Sequence, residues 1–121
     1  MNLYRIISEE EWIKTKIDRK VPRCGSDRRA GHIHLNKFED IETVANKYFE
    51  KSESPVVLEV TITTDLKKRL SWELPTKEKP WGQAHLQVEN IDINFVKRFS
   101  YLIPKNNGKE KFKVGEFLNL D

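Results

Sequence analysis

The chain has 121 residues, 37% apolar, 34% charged and 10% aromatic, which fits one domain of about 100–150 residues and excludes both a multidomain assembly and wholesale disorder. No apolar run approaches the roughly 20 residues that cross a bilayer, and the single cysteine, Cys24, excludes an internal disulfide framework. The net charge of +3 is uneven: residues 14–37 carry +6, residues 1–13 carry −2 and residues 38–121 carry −1, so one short segment is the expected docking place for an anionic partner.

Leu3–Ile7 is apolar and β-branched, and predicts a first strand. Ser8-Glu9-Glu10-Glu11 matches a capping box, in which Ser8 accepts from the N–H three residues on. A short helix is expected there, with Trp12, Ile13 and Ile17 inward, ending at Val21-Pro22 because the residue before proline leaves helical geometry. Residues 22–30 have turn chemistry and no periodicity, and predict a basic loop. Gly31–Leu35 predicts a strand whose two-residue period puts His32 and His34 on one face and Ile33 and Leu35 on the other.

Ile41, Val44, Ala45, Tyr48 and Phe49 form an amphipathic stripe, so a helix is expected over 37–51 behind an Asn36 cap. Val56–Ile62 predicts a central strand, Thr64-Asp65-Leu66 a turn, and Arg69–Leu74 a further strand. Residues 75–83 read as a loop, Ala84–Val88 as a strand carrying His85, and Phe95–Ile103 as another. Asn106-Asn107-Gly108 signals a hairpin into Phe112–Val114. Strands outnumber helices, both helices fall in the first half, and regular βαβ units are missing. The expected class is therefore α+β with a mostly antiparallel sheet, in one domain over 1–121. Trp12, Phe38, Tyr48, Phe49 and Phe99 are expected in the core, and Trp81, between Pro80 and Gly82, in a ligand cleft.

Chemistry near neutral pH can come from His32, His34 and His85, whose ordinary pKa lies there. His32-x-His34 with His85 or Cys24 offers three zinc ligands, but the only cysteine lies in a basic segment that opposes a cation, so no metal is expected. Histidines together with several arginines also suit metal-free acid–base work on a phosphodiester, as in RNA cleavage. Walker, Gly-x-Gly-x-x-Gly and nucleophile-elbow motifs are missing. Cys24, beside Arg23, reads as an incidental thiol.

The order Tyr4-Arg5, Glu11-Trp12, Gly31-His32-Ile33-His34, Ala45-Asn46-Lys47-Tyr48-Phe49, Leu58-Glu59, Trp72-Glu73 and Ala84-His85-Leu86-Gln87-Val88-Glu89 resembles the small bacterial family known as domain of unknown function 952. The resemblance spans a core of residues 3–103 and leaves 104–121 as a C-terminal hairpin extension. His34 and His85 match family histidines, whereas Arg5 stands in place of one and His32 in place of a phenylalanine. The family's fold is similar to that of ADP-ribosyltransferases and of the RNA 2′-phosphotransferases that use NAD. It implies a split antiparallel sheet around an NAD-shaped cleft, with His34, His85 and Glu89 as catalytic candidates. Arg5, His34, His32 and Trp81 would hold the cofactor NAD. Gln87-Val88-Glu89 is similar to the Gln-x-Glu turn of arginine-directed ADP-ribosyltransferases. Arg19, Lys20, Arg23, Arg28 and Arg29 would meet a phosphate-rich partner, RNA above all.

The expected function is transfer of ADP-ribose to, or removal of phosphate from, an RNA or protein substrate. The alternatives are a non-catalytic RNA- or nucleotide-binding module, a histidine-based ribonuclease, and a structural or partner-binding protein with no small ligand. A cytoplasmic protein is expected, monomeric or weakly dimeric, with no membrane partner. Its first residues, Met1–Arg5, lack a signal peptide's apolar stretch.

Overall fold

A computed structural model describes residues 1–106, 108 and 110–120. The chain runs β1 (Asn2–Ile7), α1 (Glu9–Asp18), β2 (Lys20–Pro22), α2 (Gly25–Ala30), β3 (Ile33–Leu35), α3 (Ile41–Tyr48), β4 (Val56–Thr61), α4 (Thr64–Lys67) and β5 (Leu70–Glu73). It continues through β6 (Gln83–Leu86), β7 (Asn90–Asp92), β8 (Val96–Tyr101), β9 (Ile103–Pro104), β10 (Phe112–Lys113) and β11 (Leu118–Asn119). The class is α+β with antiparallel pairing throughout the described strands.

The main sheet has the order β1-β4-β8-β11, and a second sheet the order β3-β6-β5. β4 is the central strand expected from its β-branched run. It pairs with β1 through Arg5↔Leu58 and with β8 through Leu58↔Phe99. Both faces of β1 are buried. Leu3 and Ile7 enter one core with Trp12, Leu58, Ile33 and Leu86, while Tyr4 and Ile6 enter another with Ile41, Ala45, Trp81 and Phe112. The two sheets meet at one isolated bridge, where Tyr4 N–H donates to Asn36 O and Asn36 N–H to Tyr4 O, each at 2.8 Å. Beyond that bridge the sheets separate.

Several expectations are corrected here. Ser8 Oγ does accept from Glu11 N–H at 3.2 Å, but α1 stops at Asp18, where Arg19 turns left-handed at φ 64°. Its inward line runs through Trp12 and Thr15; Ile13 and Ile17 lie about 100° and 140° round the helix from Trp12 and are exposed. Residues 25–30 are a helix rather than a loop. The Asp27 carboxylate accepts from Cys24 N–H at 2.9 Å at one end, and Gly31, at φ 82°, closes the other by donating to Asp27 O at 2.8 Å. Asn36 forms the bridge instead of capping, so Phe38–Asp40 is a 3₁₀ turn and α3 begins only at Ile41. Phe38 and Tyr48 are half-exposed rather than core residues. Thr64–Lys67 closes into a helical turn capped by Thr63. β9 and β10 pair as the hairpin signal requires, and Asn107, within that signal, lies outside the described residues.

A buried polar knot ties β1, β4 and β8 together. Glu59, 1% exposed, accepts from Tyr4 Oη at 3.0 Å, Arg98 Nε at 2.8 Å and Arg98 Nη2 at 2.7 Å. Hydrogen bonds from Arg98, opposed by burial and helped by Tyr4, hold the Glu59 carboxyl below the usual range. Burial and the Glu59 carboxylate push the Tyr4 phenol up to about 12. A carboxyl lowered below its unfolded value of about 4.3 adds stability above that pH and loses it as the pH falls through the folded value. Urea unfolding is therefore expected to show stability falling below about pH 5. Glu59→Gln should lower stability at pH 7 and flatten this acid limb; an unchanged limb would exclude Glu59 as its source.

Candidate functional site

A cleft of about 470 Å³ opens where the sheets part. Its apolar wall comes from Ile6, Leu35, Val44, Tyr48, Phe49 and Trp81, and its polar lining includes Arg5, Asp27, His34, Gln83 and Lys79 together with the acids Glu11 and Glu53. Trp81 is buried in the loop before β6 and packs edge-on to Tyr48, ring centres 6.0 Å apart. Cys24, half-buried, also lines the cleft, its Sγ 3.2 Å from Ser26 Oγ.

Asp27 is the hub of the polar wall. Fully buried, it accepts from Arg5 Nη2 at 2.5 Å, His34 N–H at 3.1 Å and Cys24 N–H at 2.9 Å, and its Oδ1 lies 2.5 Å from His34 Nδ1. Burial alone would raise the Asp27 pKa. The His34 hydrogen bond, the Arg5 charge and the Cys24 N–H overcome it and hold the carboxyl well below the usual range. An ionised carboxylate only accepts, so His34 Nδ1 carries the hydrogen and Nε2 is left for a ligand. Arg5 also donates from Nη1 to His34 O at 3.0 Å. The guanidinium therefore braces the dyad rather than reaching out as a free anion clamp.

The three histidines converge on one face of the second sheet. His34 and His85 are Cα partners across β3 and β6, and the two-residue period brings His32 to the same side. Ile33 and Leu35 point into the core, as the alternation requires. The His32 and His85 rings stack at 3.9 Å and 14°, and His34 stands edge-on to both, at 4.7 Å and 5.0 Å. Burial first, then the neighbouring imidazoles, lowers the pKa of both His32 and His85.

Other sequence candidates are spread out. Among the described residues, His85 stands behind His34 rather than lining the cleft. Glu89 is exposed and pairs with Arg23 at 3.4 Å. Arg23 is itself engaged, donating to Val88 O and Gly31 O at 2.9 Å each. Arg19, Lys20, Arg28 and Arg29 are exposed. Of these only Arg28 and Arg29 share an element, α2, with cleft residues, namely Ser26 and Asp27. Sequence reasoning missed Asp27, Gln83 and Lys79. For Asp27 a signal existed: an acid three residues after the start of a short segment that ends in glycine is a helix signature.

These features define an α+β domain whose two larger antiparallel sheets border a cleft that holds an arginine–aspartate–histidine chain. It belongs to the family described as protein of unknown function DUF952, which matches residues 6–95. The crystal structure of protein CC0527 from Caulobacter crescentus is similar in fold, with TM-score 0.76 and 24% identity over 93% of this chain and 94% of that one. The solution structure of CC0527 gives TM-score 0.69 and 26% identity over 86% of each chain. No curated protein matches this chain. Among the described residues, no helix is long and apolar enough to cross a membrane.

Asp27→Ala leaves the Arg5 charge buried without its partner, and urea unfolding should report a loss of about 3–5 kcal/mol. Adding Arg5→Met should recover part of that loss, because removing both charges is far less costly than removing one. A double variant no more stable than Asp27→Ala would show that the pair is not what Asp27 secures.

Proposed function

We propose that the cleft binds a nucleotide-type small molecule of the NAD or ADP-ribose kind. The observation that carries this reading is the meeting, in one cleft, of the Trp81–Tyr48 aromatic wall with a carboxylate-anchored imidazole. The first suits a flat base, and the second suits a ribose hydroxyl or phosphate oxygen. Its volume of about 470 Å³ falls within the range of about 300–1,000 Å³ typical of small-molecule sites. His34 contacts the ligand, Lys79 supplies the free positive charge, and Arg5 acts through Asp27 as a positioning residue. The family's resemblance to ADP-ribosyltransferases supports the same ligand class.

In its enzymatic form this reading is transfer of ADP-ribose to, or removal of phosphate from, an RNA or protein. His34 is then the group at the reacting ribose, with Glu89 outside the cleft beside Arg23 and His85 packed behind the dyad. A binding module without turnover is the second reading. It is favoured by the exposed Arg28 and Arg29, on the same helix as Ser26 and Asp27, where an RNA backbone can be met without any group placed for chemistry.

Thermal unfolding with NAD, ADP-ribose and 2′-phosphorylated RNA tests the proposal. A ligand at 100 times its Kd adds about 2.7 kcal/mol, so a clear rise in Tm is expected. That rise should shrink in His34→Ala and in Lys79→Ala. No rise at millimolar concentration with any of the three would overturn it. Turnover that disappears in His34→Ala selects the transferase form. Salt-sensitive RNA binding that survives His34→Ala and His85→Ala together selects the module.

A further inference from the structure

We propose that His32, His34 and His85 form a site for one divalent transition-metal ion of the zinc class. His34 and His85 face each other across β3 and β6, His32 lies just before β3 on the same side, and one ligating nitrogen from each lies within 4.8 Å of the others. Two independent features point to a ligand there. First, the Nε2 atoms of His32 and His85 are buried and have no hydrogen-bond partner among the described residues. Buried polar atoms are nearly always paired, and an unpaired one costs on the order of 1–3 kcal/mol. An electron-pair acceptor beside the edge that the two stacked rings share, reached by a tilt of the rings out of their 14° stack, satisfies both at once. Second, the Asp27 carboxylate holds His34 by Nδ1 and leaves Nε2 as the donor atom. This carboxylate–histidine pairing is how proteins orient a metal-binding imidazole and raise its basicity.

The chemistry of the donors selects the ion. Three neutral imidazole nitrogens suit zinc, cobalt, nickel or copper, whereas magnesium and calcium require oxygen. Imidazole must be neutral to bind, so metal affinity falls as the pH is lowered. Cys24 contacts Ser26 and is not a member of the group. Asp27 and Glu73 contribute negative charge around the trio. Arg23, which acts on His32, and Lys79, which acts on His85, oppose that charge; Arg23 is paired with Glu89 at 3.4 Å and donates to Val88 O and Gly31 O, while Arg28 and Arg29 are exposed.

Ligands about 2.0–2.1 Å from a tetrahedral ion lie about 3.3 Å from one another, so the trio closes slightly on binding. His32 makes most of that adjustment. It follows Gly31 and precedes β3, whereas His34 and His85 are fixed within paired strands. Three protein ligands leave a fourth position open, the arrangement of reactive rather than purely structural zinc sites. The ion's binding itself does not depend on the nucleotide reading.

Titration of the full chain, first stripped of metal with a chelator, with Co²⁺ alone is the test. One equivalent should produce the visible ligand-field absorption of a nitrogen-bound ion, and Zn²⁺ should abolish that absorption by displacement. His32→Phe keeps a flat ring in the stack and removes one ligand, and His34→Gln removes another. Each should weaken Co²⁺ binding by roughly 100-fold or more, beyond the 10–100-fold lost with an outer partner, in protein whose circular dichroism and melting show it folded. Absent absorption in the wild-type chain overturns the proposal. So does absorption that is unchanged in both folded variants. No nucleotide is present, so either failure leaves the nucleotide reading to its own test.

Discussion

A single buried carboxylate organises the functional end of this molecule. Asp27 is wholly removed from solvent, where an isolated charge would be prohibitively costly. It is tolerated because Arg5 supplies an opposite charge and because N–H groups of Cys24 and His34 use its remaining lone pairs. Those bonds have structural consequences beyond their own energy. The Cys24 bond starts α2, the two His34 bonds fix both the backbone and the ring of β3, and the Arg5 bond ties all of this to the main sheet. Three segments remote in sequence are held at one point, and the cleft is lined by what they bring.

The second constraint is topological. β1 pairs fully with β4 on one side, but among the described residues its only backbone bridge toward the second sheet is Tyr4–Asn36. A continuous ladder would have closed the gap; one bridge holds the sheets together and lets them diverge. The apolar residues of β3 and β6 face the core, so their polar set, His32, His34, Gln83 and His85, faces the opposite way. Imidazole clustering thus follows from strand alternation and antiparallel register, and burial then lowers the pKa of His32 and His85.

Much of the scaffold was legible in the residues. The central β4, the alternation around His32–Leu35 and the Ser8 cap each depend on local pattern, which sequence reports directly. α2 was less legible because its stabilising element is one aspartate whose partners, apart from Cys24, only folding supplies. Ile13 and Ile17 misled because Trp12, packed at a tilt against Phe99 with ring centres 5.3 Å apart, sets the helix's line of contact. Asn36 misled because a cross-strand partner outcompeted its capping role. Among site residues, Trp81 and His34 could be anticipated, whereas Arg5 turned out to be a brace and Glu89 a solvent-exposed partner of Arg23.

The residues alone determined the α+β class, the family resemblance, the shared face of His32 and His34, and the concentration of positive charge in 14–37. Tertiary structure alone decided that His85 lies opposite His34, that Asp27 neutralises Arg5, and that most of the positive charge faces solvent rather than the cleft. The physical reason is range. Periodicity, capping and composition act within a few residues, but pairing register and the burial of a charge depend on segments that only the folded chain brings together.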